Sequence, residues 1–281
     1  MMLDERGRTE VAGIRVYVKR PPRNPTSLTF VLTAANVPFD NYHSITDALL
    51  EMDHVVVGYY INIASPPWKN NRIKAQNVHD MFEELRQEFT MISKYNIVGH
   101  SVGGKIALLV AALHNSERTL RAIVALDPVD QSPVEFTNKN TRKNLSLQDT
   151  GVEDIVMTFT DNGFFVSKDH NARSINRFHR NCEVVLHRNA SHLAYCDSDG
   201  GLSWKNAVML RGGNESRNAA VKAQAIELIK DRLEVSVTKK AGKMAKNFTK
   251  NVSQTINSVN EDVNKATKMG KLSLIKNITK F

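Results

Sequence analysis

The spacing of apolar residues switches repeatedly between two periods, and each switch marks an element. Ile14-Arg15-Val16-Tyr17-Val18 alternates, which predicts an antiparallel edge strand closed off by Pro21, Pro22 and Pro25. Leu28–Leu32 is a short apolar run and predicts the first buried strand. A helix is expected around Tyr42–Met52, followed by an apolar strand over His54–Tyr60. Residues 74–92 place Val78, Phe82, Leu85 and Phe89 on one face of an amphipathic helix. Lys94–Val98 reads as a strand and Gly104–Leu113 as the helix after it. Arg121–Leu126, Ile155–Phe159 and Cys182–Leu186 follow as strands, with a polar loop over 131–152, and Arg217–Leu233 closes the series as a helix. Apolar strands alternating with helices predict the α/β class, with a mostly parallel central sheet and helices on both faces. Ligands in such sheets bind beyond the C-terminal ends of the strands.

Between two of these elements lies Gly99-His100-Ser101-Val102-Gly103, which fits G-x-S-x-G. A strand before it and a helix after it predict a nucleophile elbow, a sharp turn that leaves the serine hydroxyl exposed at the sheet edge. The turn crowds its own backbone, so its neighbours must be small, and Gly99 and Gly103 are. The helix N-terminus behind Ser101 favours developing negative charge. Ser101 is the candidate nucleophile.

A serine needs a base to take its proton and a third group to orient that base. In this arrangement the chain order is serine, acid, histidine, which sets aside His43, His54, His79 and His100. Of the later histidines, His192 sits in a short loop after the final strand, preceded by the small residues Ala190 and Ser191. Two residues compete for the acid. Asp127 ends the strand after the nucleophile helix, and Asp161 ends the next one. Both share the strand-end edge with Ser101 and His192, and spacing alone does not choose between them.

Charge divides the chain unevenly. The net charge is +9, and residues 235–281 hold ten lysines against Glu261 and Asp262. The body over 1–234 is nearly neutral, so two units are expected: a domain over 1–234 and a basic tail over 235–281. In the tail Ala241, Val252, Val263 and Leu274 recur every eleven residues, close to the period of a straight helix. A weakly apolar face on a lysine-rich helix suits a membrane or lipid-droplet surface, and a disordered solvated tail or a coiled-coil arm fits the same composition. Nucleic-acid binding is not expected, because aromatic residues are few and the body is not basic. No apolar run approaches the ~20 residues of a bilayer span. The polar start Met1-Met2-Leu3-Asp4-Glu5-Arg6 resembles neither a signal nor a transit peptide, which predicts a cytoplasmic or peripheral-membrane location. The two cysteines, Cys182 and Cys196, flank the His192 loop and are expected to be free thiols, with a bridge as the alternative. No metal spacing and no phosphate loop ending in G-K-S/T occurs, so no metal or cofactor is expected.

Leu126-Asp127-Pro128-Val129-Asp130, with Gly99-His100-Ser101-Val102-Gly103-Gly104-Lys105 upstream, resembles the chlorophyllases, a family of α/β-hydrolases that cleave the phytyl ester of chlorophyll. The resemblance runs over roughly 28–233 and rests on those two motifs. It implies that the acid is Asp127, with Asp161 as the alternative, and that the chain cleaves a hydrophobic carboxylic ester without a cofactor. The chain departs from the family in having Val102 after the nucleophile in place of Arg. It also has Thr33-Ala34-Ala35-Asn36 where chlorophyllases have His-Gly. That loop supplies one oxyanion donor, and the residue after the nucleophile supplies the other. Both donors are backbone N–H groups, so Ala35 or Asn36, together with Val102, fill the role without any particular side chain. The departures bear on the substrate more than on the chemistry. A broader lipase or carboxylesterase, or a non-catalytic scaffold of the same fold, remains the alternative.

Overall fold

The computed structural model describes residues 7–62, 71–131, 133–161, 170–179, 182–197 and 215–234. The tail expected over 235–281, and the stretches 63–70 and 162–169 beside the expected site, lie outside the described residues.

Apolar strands of five to seven residues dominate the order of elements. The strands are β1 (Arg8–Val11), β2 (Ile14–Lys19), β3 (Ser27–Leu32), β4 (His54–Tyr59), β5 (Tyr95–His100), β6 (Leu120–Leu126), β7 (Asp154–Thr160) and β8 (Glu183–His187). The helices are α1 (His43–Glu51), α2 (Asn71–Glu88), α3 (Val102–His114), α4 (Ala172–Phe178) and α5 (Glu215–Leu233). The strands form one sheet in the order β1-β2-β4-β3-β5-β6-β7-β8. β1 and β2 are antiparallel, β2 is antiparallel to β4, and the remaining pairs are parallel.

Period-2 alternation divides the sheet's side chains between two cores. Leu28, Phe30 and Leu32 of β3, with Tyr95 and Ile97 of β5, pack against Val78, Phe82 and Leu85 of α2 and Ile106 and Leu109 of α3. Val31 and Val98, on the opposite face, pack with Ile45 and Leu49 of α1 and Val221, Ala225, Ile229 and Leu233 of α5. Each fully buried Val, Leu, Ile or Phe among them contributes roughly 1.5–3 kcal/mol. The helices therefore cover both faces, as the alternation of elements predicts. Among the described residues no helix is long and apolar enough to cross a membrane.

Some boundaries differ from expectation. β1 is an addition: Arg8-Thr9-Glu10-Val11 is short and polar, and it pairs through a tight turn at Ala12 and Gly13, both at positive φ. A charged strand at a sheet edge resists pairing with other chains, and for the same reason it carries no apolar signal. α4 is a second addition, a single polar stretch of seven residues. α2 spans Asn71–Glu88 rather than 74–92.

Strand order positions the site. β3 pairs with β4 on one side and β5 on the other, so the chain reverses its direction of progress between β3 and β5. Ligand crevices form at such reversals, outside the strand C-termini. Leu32, the last residue of β3, lies in register with Gly99 of β5. The loop after β3 and the serine after β5 therefore emerge side by side.

Candidate active site

The backbone at Ser101 has φ 57° and ψ −120°, a combination that non-glycine residues rarely adopt and that costs on the order of 1–3 kcal/mol. The surroundings over-determine it. Ser101 N–H donates to Leu126 O at 2.9 Å, and its own carbonyl accepts from Val129 N–H at 3.2 Å. A Cβ on Gly99 would lie 2.4 Å from Gly103 O, and one on Gly103 would lie 2.4 Å from Leu32 O. Only hydrogen fits at either position, so β5 can turn straight into α3. Ser101 is partly exposed at the point where the helix begins.

Asp127 follows β6, with φ 45°, and its carboxylate is buried. Oδ2 accepts from His192 Nδ1 at 2.8 Å and from the Thr160 hydroxyl, and Oδ1 accepts from Thr160 N–H at 3.4 Å. A carboxylate only accepts, so the His192 proton sits on Nδ1 and the Nε2 lone pair is left as a proton acceptor. Asp127 N–H donates to Thr158 Oγ1 at 3.0 Å, and that hydroxyl donates to Tyr195 Oη at 2.7 Å. Asp161 does different work: its Oδ1 accepts from Asn189 N–H at 2.6 Å and holds the turn ahead of His192. The structure thus brings Asp127 and His192 together, although Asp161 ends the strand next to the one that leads to His192. Among the described residues, the Ser101 hydroxyl and His192 are not hydrogen-bonded to each other.

The loop after β3 divides its backbone donors sharply. Ala34 N–H donates to Tyr42 Oη at 2.9 Å. Asn36 N–H donates to Ile61 O at 2.9 Å, which removes Asn36 as an oxyanion donor. Ala35 N–H and Val102 N–H have no acceptor among the described residues.

Sequence reasoning passed over the supports of this arrangement. His100 and Tyr42 are buried, and the Tyr42 hydroxyl is hydrogen-bonded to His100 Nδ1 at 2.8 Å. Burial, with His192 adjacent, drives the His100 pKa well below the ordinary histidine value, and burial raises that of Tyr42. Thr160 closes the shell around Asp127 from the end of β7. None of the three carries a local signal, because each acts on a partner more than thirty residues away.

Behind the elbow, the lysine of Gly103-Gly104-Lys105 is fully buried. Its Nζ donates to Gln131 O at 3.0 Å and to Pro133 O, and lies 3.4 Å from Asp130 Oδ1. Asp130 also accepts the N–H groups of Glu135, Phe136 and Thr137 at 2.8–2.9 Å, fastening the loop that leaves Asp127. Cys182 and Cys196 are both free thiols. Among the described residues no group of three or more His, Cys, Asp or Glu side chains is placed to hold a metal ion.

A family model described as alpha/beta hydrolase fold matches residues 62–242, well over half of the chain. No curated protein matches it in sequence. Est1E from Butyrivibrio proteoclasticus superposes with a TM-score of 0.54 at 13% identity, over 81% of this chain and 99% of its own. A dienelactone hydrolase from Anabaena variabilis gives 0.52 at 12% identity, over 80% and 96%. TT1662 from Thermus thermophilus gives 0.51 at 13% identity, over 78% and 97%. At these identities the likeness is one of fold.

Proposed function

The chain belongs to the alpha/beta hydrolase fold family, and on that premise we propose that it is a serine hydrolase of carboxylic esters. The observation that carries this reading is the buried Asp127 carboxylate on His192 Nδ1, at the strand-end edge where the strained Ser101 sits. His192 Nε2 takes the Ser101 proton as the hydroxyl attacks the ester carbonyl. The oxyanion is received by Ala35 N–H and Val102 N–H. The proton then passes to the leaving alcohol, the acyl-serine forms, and water releases the acid by the same steps in reverse. Asp127 keeps the imidazole in the tautomer that can accept and stabilises the imidazolium. The hydroxyl–imidazole hydrogen bond is often long before substrate arrives and tightens in the complex.

The substrate we favour is a hydrophobic ester of the chlorophyll type, on the strength of the motifs around Ser101 and Asp127. Est1E has been solved with ferulic acid bound, which keeps a broader esterase as the runner-up. We also propose that 235–281 forms a separate unit that holds the enzyme at an anionic membrane or lipid-droplet surface, each engaged lysine adding ~1 kcal/mol. Deleting 236–281 should leave soluble-ester turnover unchanged and abolish flotation with anionic liposomes; equal flotation would remove the anchor from the proposal.

An inactive scaffold is the second reading, favoured by the open Ser101–His192 pair. One experiment separates them. An active-site serine phosphonate should label Ser101, and Ser101→Ala should lose both labelling and p-nitrophenyl butyrate hydrolysis. Folded protein that neither labels nor hydrolyses would leave the scaffold. Incubation with chlorophyll then tests the substrate: brisk turnover of simple esters with no chlorophyllide would point to the broader esterase.

A further inference from the structure

The side chain just before the nucleophile has no part in the proton transfers above, yet its ring lies against His192, the residue that carries the proton. The His100 ring lies 5.0 Å from the His192 ring and 5.3 Å from the Tyr195 ring. Its Nε2 is 2.8 Å from the His192 carbonyl oxygen, and its Nδ1 is 2.8 Å from Tyr42 Oη. A carbonyl only accepts, so the proton is on Nε2 and Nδ1 accepts from the Tyr42 hydroxyl. The Tyr42 oxygen in turn accepts Ala34 N–H at 2.9 Å. Every hydrogen bond in this series points the same way, from the loop after β3 to the backbone of His192. All of its members are buried.

The two segments it joins meet a second time. Asp197 N–H donates to Asn41 O at 2.7 Å. The Asp197 carboxylate accepts from Ser44 N–H at 2.9 Å and from Lys222 Nζ at 2.9 Å, and lies 3.0 Å from His43 Nδ1. The stretch that carries the base is therefore fastened to the stretch that follows the oxyanion loop, at both of its ends.

We propose that His100 is a positioning residue which, through Tyr42, locks the loop bearing the oxyanion donor to the loop bearing the base. The proposal rests on the reading of Ser101 and His192 as nucleophile and base. The two loops come from opposite ends of the described chain and have no covalent reason to keep register. Positioning errors near 1 Å cost on the order of 100-fold in rate, so a rigid link between them matters to the chemistry. A neutral imidazole suits this link. A protonated one would donate from both nitrogens and break with Tyr42, and burial opposes that state.

His100→Phe keeps a ring and removes the hydrogen bonds to Tyr42 and to the His192 carbonyl, together with the 3.8 Å contact of Nδ1 with Cys196 Sγ. Tyr42→Phe removes the middle of the series. His100→Gln retains a donor within reach of the His192 carbonyl. For p-nitrophenyl butyrate, His100→Phe and Tyr42→Phe should each lower kcat by about 10–100-fold with KM little changed. The double variant should be no worse than the poorer single one, because both break one series. His100→Gln should recover part of the loss. The low-field proton resonance of His192 Nδ1–H should shift or broaden in His100→Phe and stay in His100→Gln. Wild-type kcat in folded His100→Phe overturns the proposal and leaves the hydrolase reading intact. A wild type that cleaves no ester overturns the hydrolase reading. The resonance then decides alone: unchanged in His100→Phe it overturns the lock, and moved it upholds it. If His100→Phe does not fold, Tyr42→Phe carries the same comparison.

Discussion

His192 donates its Nδ1 proton to Asp127 across 2.8 Å, and the carboxylate that receives it follows β6 rather than β7. Asp127→Asn should therefore present an amide donor or a weak acceptor to Nδ1 and favour the wrong tautomer. For p-nitrophenyl butyrate, kcat should fall on the order of 10⁴-fold with the fold intact. Asp161→Asn keeps an oxygen for Asn189 N–H and should stay within a few-fold of wild type. If Asp161→Asn were the slower of the two, the assignment of the acid to Asp127 would be wrong.

The elbow makes a steric prediction. A methyl group at Gly103 would sit 2.4 Å from Leu32 O, and backbone cannot yield there without moving β3 against α3. Gly103→Ala should cost on the order of 3 kcal/mol and abolish phosphonate labelling of Ser101. Gly13→Ala is the control: nothing lies within 4 Å of its Cβ, and only the positive φ of 74° opposes it. It should cost ~1–2 kcal/mol and leave labelling unchanged. Urea midpoints and labelling rates read both. Full labelling of Gly103→Ala would show that the turn is looser than the packing requires.

The fold was legible because its central strands, β3 to β7, are buried on both faces and read as apolar runs between helical periods. Ser101, Asp127, Asp161 and His192 could be placed on one edge for the same reason, since each follows a strand. The order β4-β3-β5 was not legible, and that order brings the loop after β3 out beside the end of β5. Nor could spacing decide between the aspartates. That depends on Thr160 closing around Asp127 and on Asn189 taking Asp161, contacts made across strands. The loss of Asn36 as a donor depends on Ile61, and the His100–Tyr42 link spans 58 positions. Such contacts are products of the tertiary fold, with no trace in local period or composition.

Lys105 and Asp130 form a buried pair whose two halves are unequally supported. Asp130 accepts three N–H groups and the Thr137 hydroxyl in addition to facing Lys105. Asp130→Ala strands both the lysine charge and those donors, and should cost ~3–5 kcal/mol. Lys105→Met fills similar volume and leaves Asp130 its other partners, so its cost should be smaller. Chemical denaturation of both variants ranks them. A costlier Lys105→Met would mean that the lysine's carbonyl contacts, rather than the carboxylate, hold this loop.

His54 predicts how stability depends on pH. It is buried at the start of β4, with Nδ1 2.8 Å from Thr29 Oγ1. Burial first, and then the Arg121 charge, lower its pKa to about 4. In the unfolded chain a histidine titrates near 6.5. Between pH 6.5 and pH 4 the unfolded state therefore binds the proton that the folded state refuses. Stability rises with pH through this window and falls as pH drops, at ~1.4 kcal/mol per unit at most. Above 6.5 neither state is protonated and the contribution is fully present. His100, His179 and His187 are shifted in the same direction by burial, so the whole protein should weaken steeply in mild acid. His54→Asn keeps a polar group for Thr29 and removes one proton site. Between pH 7 and pH 5 it should lose ~2 kcal/mol less stability than wild type, measured by urea unfolding at both pH values. Equal losses in the two proteins would show that His54 gains its proton without unfolding, and that its place in the core is wetter than its packing indicates.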